Sequence, residues 1–407
     1  MVEDLVVDMS GKKRHPRTGR ILLLGSTGSI GVNAIEVVRH LSNHGGPDFE
    51  IVALAGGRRA RELRQQAESL GVRDVAIADE AGAGELADVD RLHVGPDAAL
   101  ELVRSVARPG DLVIGAMVGA AGIAPTIAAL EIGCDVALAN KETLVAAGSV
   151  VIPTARRHGA EIIPVDSEHS AIYQCLRGGR CPEEIERLVL TASGGPFRAW
   201  DLDRINEATV EEALDHPTWS MGPKVTIDSA SMMNKALELI EAHWLFDLPA
   251  SRLDAVVHPQ SIVHSFVEFV DGSVFAQLSP PDMKMPIQYA LTAPDRHTGC
   301  SPRIDWSSFS DLKFEPVDHE RFPALRTALG VIDSGGSAGT VFNAANEVAV
   351  QAFLDRRIGF GRIMRTVRQT LEDTSIAPIN SLEDVFQADS EARERARSLL
   401  AADRTGS

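Results

Sequence analysis

Arg20-Ile-Leu-Leu-Leu-Gly-Ser-Thr-Gly-Ser-Ile-Gly31 is the stretch that decides the fold of this 407-residue chain. Ile21 to Leu24 is a short apolar run of the kind that forms a buried strand in a parallel sheet. It gives way to Gly25, Gly28 and Gly31, and Val32 to Leu41 then carries apolar residues at helical spacing. A strand, a glycine turn and a helix start leave free backbone N–H groups and the positive end of a helix dipole facing one point, which suits a pyrophosphate. The spacing is G-x-x-G-x-x-G rather than G-x-G-x-x-G, so an ordinary strand-to-helix turn is the competing reading. The strand before it and the helix after it favour a dinucleotide.

A second strand is expected over Phe49 to Leu54. An NAD site ends this strand with an acid that accepts the ribose 2′-hydroxyl. Here the strand runs into Ala55-Gly56-Gly57-Arg58-Arg59, with no acid before Glu62. Guanidinium groups hold a 2′-phosphate that a carboxylate would repel, so NADPH is the expected form. The bland alternative is a pair of solvated arginines opening a surface helix.

Composition narrows the classes further. Lys and Arg total 40 against 57 Asp and Glu, and the net charge of −17 argues against a broad nucleic-acid surface. The 44% hydrophobic content with only 5% aromatics predicts well-filled aliphatic cores, enough for two or three domains. Cys134, Cys175, Cys181 and Cys300 show no C-x-x-C pairing, which points to a reducing compartment and a cytoplasmic protein. No run approaches the roughly 18 apolar residues of a membrane span, so no membrane partner is expected. Residues 1–18 mix Lys12, Lys13, Arg14 and Arg17 with Glu3, Asp4 and Asp8 and read as a flexible extension.

Alternating strands and helices continue to about residue 165, with strands at Val75 to Ala78, Leu112 to Ile114, Asp135 to Ala139 and Glu161 to Val165. That is the doubly wound α/β pattern, a Rossmann-like domain over residues 19–165. Residues 166–291 read as an α+β catalytic and dimerisation region. Its strands are Arg187 to Thr191, Ala255 to His258 and Val274 to Leu278; a long helix runs from Ser231 to Phe246, and a mobile loop covers about 193–223. Residues 292–318, with Pro294, Pro302 and Pro316, read as a connector. Residues 319–407 read as helical, with amphipathic stretches at Val341 to Leu354, Phe360 to Glu372 and Ser390 to Ala402.

Pro164-Val165-Asp166-Ser167-Glu168-His169 follows a strand, where open α/β sheets present ligands. In extended backbone Asp166 and Glu168 point the same way, and two adjacent anions call for a proton or a cation between them. Hard oxygen ligands suit Mg²⁺ or Mn²⁺. A helix start capped by Asp166 or Ser167, with Glu168 complementing the dipole, explains the same residues, and this motif alone leaves both readings open. Asp228-Ser-Ala-Ser-Met-Met-Asn-Lys-Ala-Leu-Glu238 reads as a serine-rich turn entering a helix. Asn234, Lys235 and Glu238 share one face of that helix at i,i+3 and i,i+4 spacing. Ser229, Asn234 and Lys235 would hold a phosphate while Glu238 completes a three-carboxylate metal set; a plain exposed Lys–Glu pair is the alternative. Ala192-Ser193-Gly-Gly-Pro-Phe197 offers a glycine loop with a hydroxyl, and His216-Pro-Thr-Trp-Ser-Met-Gly222 an imidazole and an indole on a lid-like loop. A histidine at a strand end is more often a satisfied structural residue than a ligand, and His258 and His264 are given no catalytic role.

LGSTGSIG, LANKE (Leu138 to Glu142), PVDSEH, ASGGPF, HPTWSMG, DSASMMNKALE, HPQSIVHS and FNAANE (Phe342 to Glu347), in this order, resemble the 1-deoxy-D-xylulose 5-phosphate reductoisomerases. These enzymes make 2-C-methyl-D-erythritol 4-phosphate in the non-mevalonate isoprenoid pathway. The resemblance implies a V-shaped homodimer, NADPH and one divalent cation, Mg²⁺, Mn²⁺ or Co²⁺. It implies Asp166, Glu168 and Glu238 as metal ligands, and Ser193, Ser229, Asn234 and Lys235 at the substrate phosphate. Lys141, Glu168 and His216 become candidate catalytic residues that contact the substrate backbone together with Ser167, and Trp219 covers it. Thr27, Gly28, Ser29, Ile30, Gly57, Arg58, Arg59, Asn140, Glu142 and Gly222 would line the NADPH path. Two positions depart from the family pattern: Ala236 stands where Gly is common, and Arg59 where Asn is frequent.

The implied chemistry is a skeletal rearrangement of an α-hydroxyketone phosphate, by retro-aldol cleavage and re-addition, followed by hydride delivery to the resulting aldehyde. A cation, a phosphate anchor and a closing loop answer its needs for charge stabilisation, fragment retention and water exclusion. The alternative is another NADPH-dependent oxidoreductase of semialdehyde or sugar dehydrogenase type. The first requires an activated cysteine, for which no context stands out, and the second leaves the carboxylate set unexplained. A non-catalytic NADPH sensor would have no use for a phosphate pocket and a metal site together.

Overall fold

Strand β1 (Arg20–Leu24) is buried almost throughout, with Ile21, Leu22 and Leu23 fully inaccessible, as an apolar run without alternation requires in a sheet covered on both faces. In this computed structural model, which describes residues 17–176, 182–219, 221–307 and 311–402, the chain divides into two compact units. The first takes the chain up to Thr143 with Val151–Ser170 and Asp282–Pro302; the second takes Leu144–Val150, Ala171–Pro281 and Arg303 onward.

In the first unit β1 is followed by α1 (Ser29–Asn43), β2 (Glu50–Gly56), α2 (Ala60–Leu70), β3 (Asp74–Ile77), β4 (Arg91–Val94), α3 (Ala98–Val106), β5 (Leu112–Gly115), α4 (Ile123–Ile132), β6 (Asp135–Leu138), α5 (Lys141–His158), β7 (Ile162–Pro164) and the start of α6 (Ser167–Cys175). The seven strands form one parallel sheet in the order β4-β3-β2-β1-β5-β6-β7. Chain order reverses between β1 and β5, and a crevice opens at the carboxyl ends of strands at such a switch point. The expected strands are all present. The sequence reading missed β4, a four-residue edge strand whose residues are half-buried or exposed, so it carries no apolar signature.

Arg17 and Thr18 are fastened to this sheet. Arg17 Nε donates to Asp135 Oδ2 at 3.1 Å, and Thr18 Oγ1 donates to the buried Asp111 at 2.7 Å. The rest of the expected extension, residues 1–16, lies outside the described residues, as does Cys181.

The second unit contains β8 (Ile185–Ala192), α7 (Leu202–Asn206), α8 (Val210–Leu214), α9 (Pro223–Ala230), α10 (Met233–Phe246), β9 (Leu253–Val257), β10 (Val263–Phe269) and β11 (Val274–Leu278). After α11 (Lys284–Thr292), which belongs to the first unit, come β12 (Glu315–Pro316), α12 (Ala324–Ser334), α13 (Ala338–Leu354), α14 (Arg362–Asp373) and α15 (Leu382–Ala402). Its sheet has the order β11-β10-β8-β9-β12, antiparallel except for the β8–β9 pair. Phe197, Phe353 and Phe360 meet edge to face in its core. Ala236, the residue that departs from the family pattern, is fully buried in a second cluster with Leu237, Phe342 and Ala345, so its extra methyl is packed. The expected connector divides between the units at Pro302, and among its described residues Glu315 and Pro316 form a strand.

Candidate active site

Three features of the first unit follow from the opening stretch. Gly25 adopts φ +89, and a Cβ there would lie 2.3 Å from the Ala116 carbonyl oxygen, so only glycine lets β1 turn at the switch point. At Gly31 a Cβ would lie 2.4 Å from the Ser26 carbonyl oxygen, because helix α1 begins directly against the loop that feeds it. Gly28 caps α1 in extended conformation without a side-chain partner, which leaves the first-turn N–H groups near Ser29 and Ile30 to an external acceptor. Thr27 is buried, and Gln66 Nε2 holds the Ser26 carbonyl at 2.9 Å. At the end of β2, Gly57, Arg58 and Arg59 are exposed, and neither guanidinium has a partner among the described residues.

Asn140 lies at the carboxyl end of β6, and its buried side chain is committed to protein. Nδ2 donates to the Met117 carbonyl at 2.7 Å and to Glu142 Oε2 at 2.7 Å, while Oδ1 accepts from Thr143. Asn140 thereby fixes the loop after β5. Lys141, the first residue of α5, ion-pairs with Asp166. Of the two readings open for Asp166 to Glu168, the structure shows the helix start rather than extended backbone. Ser167 opens α6, and Asp166 accepts the Glu168 N–H at 3.3 Å through its side chain and the Ser170 N–H at 2.8 Å through its carbonyl. The two carboxylates still converge to within 4.8 Å of one another, because the side chains rather than the backbone bring them together. Ser167 Oγ donates to Glu168 Oε2 at 2.6 Å.

In the second unit His216 gathers two distant motifs. Its Nε2 lies 3.1 Å from both Ser193 Oγ and Ser229 Oγ. Its Nδ1 accepts the backbone N–H groups of Thr218 at 3.1 Å and Trp219 at 2.9 Å. That assigns the proton to Nε2 and makes the ring a donor toward the serines. Burial holds the imidazole below its usual pKa, so it is neutral at pH 7. Gly194 and Gly195 have φ +84 and +65, and a Cβ at Gly195 would lie 2.6 Å from the Ser229 carbonyl oxygen. The ASGGPF loop is therefore glycine-rich so that it can lie against the turn carrying Ser229. Trp219 meets His264 edge on at 6.5 Å, and Gly222 caps α9 just beyond.

The expected serine-rich turn into a helix is a break between two helices. It runs from the end of α9 through Met232, at φ +60, into α10. Asn234 Nδ2 donates to Glu238 Oε1, and Lys235 pairs with Glu238 Oε2, so the three residues share the expected face. Lys235 and Glu238 are 4% and 1% exposed, which excludes a solvated surface pair. His258 donates to the Lys313 carbonyl at 2.7 Å and His264 to the Ser279 carbonyl at 3.1 Å, in keeping with structural roles. Burial pushes the Cys134 thiol up to about 12 and raises that of Cys300, so neither is an activated nucleophile. The FNAANE motif carries no chemistry that its residue types alone announce. Asn346 of that motif donates to the buried Asp228 at 2.9 Å.

Comparison with known proteins gives a consistent answer. Family models match residues 21–148 (1-deoxy-D-xylulose 5-phosphate reductoisomerase), 162–246 (its C-terminal domain) and 278–395 (DXP reductoisomerase C-terminal domain). The chain is 53% identical over 388 residues to the 1-deoxy-D-xylulose 5-phosphate reductoisomerase of Rhodococcus jostii, covering 94% of this chain and 95% of that protein. It is 48% identical to that of Chlorobaculum tepidum over 93% and 98%. Among solved structures, the Zymomonas mobilis reductoisomerase in complex with NADPH is 41% identical with a TM-score of 0.85, covering 95% of this chain and 99% of that one. A DOX-P reductoisomerase in complex with NADPH, fosmidomycin and magnesium is 37% identical with a TM-score of 0.88, over 95% and 99%.

Proposed function

Because this chain belongs to the 1-deoxy-D-xylulose 5-phosphate reductoisomerase family, we propose that the residues gathered above serve that activity, the NADPH-dependent conversion of 1-deoxy-D-xylulose 5-phosphate to 2-C-methyl-D-erythritol 4-phosphate. The observation that carries the proposal is the convergence of Ser193, His216 and Ser229, residues from three motifs, with Ser229 at the end of α9, just ahead of the helix α10 that carries Asn234, Lys235 and Glu238. Hydroxyls, an imidazole N–H, an amide and an ammonium form a donor set suited to a phosphate dianion.

When bound, NADPH supplies the hydride and a divalent cation supplies charge stabilisation at substrate oxygens. The residues fit both. The loop from Thr27 to Ile30 offers uncapped N–H groups to a pyrophosphate, and exposed Arg58 and Arg59 suit a 2′-phosphate. Gly57 and Glu142 would contact the cofactor from the first unit and Gly222 is assigned to it from the second, with Asn140 acting by holding the loop after β5. Asp166 and Glu168 of the first unit and Glu238 of the second are the carboxylates that would supply hard oxygen donors to Mg²⁺, Mn²⁺ or Co²⁺. Lys141 carries its ammonium on Asp166 and can donate to a substrate oxygen. Ser167 orients Glu168. His216 stays neutral and donates from Nε2, and Trp219 shields the reacting carbons from water.

The same reading assigns residues 19–165 to the nucleotide, 166–291 to catalysis and dimerisation, 292–318 to a connector and 319–407 to a supporting helical region. It makes the protein a cytoplasmic homodimer. Glu238→Gln keeps size and removes a hard anionic ligand. Its kcat should fall at least about a hundredfold while NADPH affinity, read by cofactor fluorescence, is kept. Near-normal metal-dependent turnover in this variant would remove Glu238 from the ligand set.

A further inference from the structure

We propose that Asn346, on α13, is a positioning residue for the phosphate-binding turn and acts through the buried carboxylate of Asp228. The inference rests on the reading of Ser229, Asn234 and Lys235 as the phosphate anchor. These three residues flank the break between α9 and α10, and Asp228 is the last buried carboxylate before it, 1% exposed. Lys224 Nζ, one turn earlier, lies 2.9 Å from Asp228 Oδ2, an interaction that ties the carboxylate to its own helix. Asn346 Nδ2 donates to Asp228 Oδ1 at 2.9 Å and ties it to α13. Ser229, the next residue, carries the hydroxyl that meets His216. Displacement of the end of α9 thus moves Ser229 and the His216 contact together.

A second observation supports this role. Asn346 is fully buried, and its Oδ1 accepts no hydrogen bond among the described residues. An unmet buried acceptor is unfavourable, and leucine would fill the same space without it. What the amide supplies that leucine cannot is the hydrogen bond to Asp228. The helix that supplies it is itself fixed: Arg393 of α15 pairs with Glu347 at 2.6 Å, and Thr340 Oγ1 donates to the Ala146 carbonyl at 2.7 Å. The C-terminal helices thereby reach the substrate site without touching substrate.

The test exploits the fact that a protonated carboxyl donates as an amide does, whereas an ionised one repels Asp228. The charged groups on elements packed against α9 are Glu211 and Glu212 on α8, Lys235, Glu238, Glu241 and His243 on α10, and Glu347 on α13. Glu211 pairs with Arg356, Glu212 caps Thr209, Lys235 pairs with Glu238, His243 donates to the Leu248 carbonyl and Glu347 pairs with Arg393. Glu241 is buried on α10, but a carboxyl introduced at 346 takes the place of an amide already 2.9 Å from Asp228 Oδ1, whose other oxygen is 2.9 Å from Lys224 Nζ, so it answers first to that pair.

For Asn346→Asp, KM for the ketose phosphate relative to the parent enzyme should stay within about threefold near pH 6. It should rise to about tenfold or more near pH 8.5, with NADPH affinity unchanged at both. Asn346→Leu should show the raised KM at every pH. The inference is overturned if the Asn346→Asp ratio does not change with pH, or if NADPH affinity falls in step with KM. Should Asn346→Leu fail to fold, the pH ratio of Asn346→Asp decides alone. Lys235→Ala separates the two readings. An unchanged KM there removes the phosphate anchor itself, whereas a raised KM there with unaffected Asn346 variants removes only the role given to Asn346.

Discussion

His216 shows how one side chain converts a loop into a site. Two backbone N–H groups point at Nδ1, so protonating the ring there breaks both contacts. Burial lowers its pKa in the folded protein. As pH falls through about 6.5, the ordinary histidine value, the unfolded chain takes up the proton before the folded chain does, so stability declines over that window. Below the folded pKa the decline from this residue ends. The parent enzyme should therefore lose more Tm between about pH 7 and pH 5.5 than His216→Gln does. Equal losses in the two proteins would mean that the ring is not held neutral by its setting.

At the scale of elements, the start of α1 and the starts of α6 and α10 differ in how far local sequence governs them. The α1 start is set by glycines that make room for backbone. Gly31→Ala would bring a methyl to 2.4 Å from the Ser26 carbonyl oxygen and 2.5 Å from that of Gly25. The loop must shift, at a cost of about 1–3 kcal/mol by analogy with overpacked cores. Weaker NADPH binding and a lower Tm should appear together, and cofactor titration of the variant checks this; unaltered affinity would show that the loop has slack. The α6 start is one of two readings open for its motif, whereas the α10 start differs from the simple turn expected. Extended backbone and a helix start are both open for Asp166 and Glu168, and the helix start that forms brings the carboxylates together through their side chains. The turn before Asn234 is a helix break at Met232, whose positive φ no local residue preference foretells.

At the scale of the whole molecule, the sheet of the second unit ends in β11, with Val274 and Phe275 54% and 43% exposed and the adjoining Val270 61% exposed. An apolar edge strand of this kind is an aggregation hazard unless it is covered. Coverage by a second copy agrees with the homodimer proposed above. Replacing Val274 and Phe275 with Lys should halve the mass seen by light scattering and leave the far-UV spectrum intact. A dimer that persists in this variant would place the interface elsewhere.

The parallel α/β sheet was legible in the sequence, because apolar runs interrupted by glycine permit little else, and so were the motifs from which the proposed site is built. The sequence also determined that Asn234, Lys235 and Glu238 share a face, since helical periodicity is local. Tertiary structure alone decided that Ser193 and Ser229 meet on one imidazole and that Asn346 meets Asp228, pairs separated by 36 and 118 positions. It also decided that Lys235 and Glu238 are buried rather than solvated. Local propensity carries no information about such pairings. They exist only once the sheet of the second unit and its helices have packed, when burial makes each donor find its acceptor.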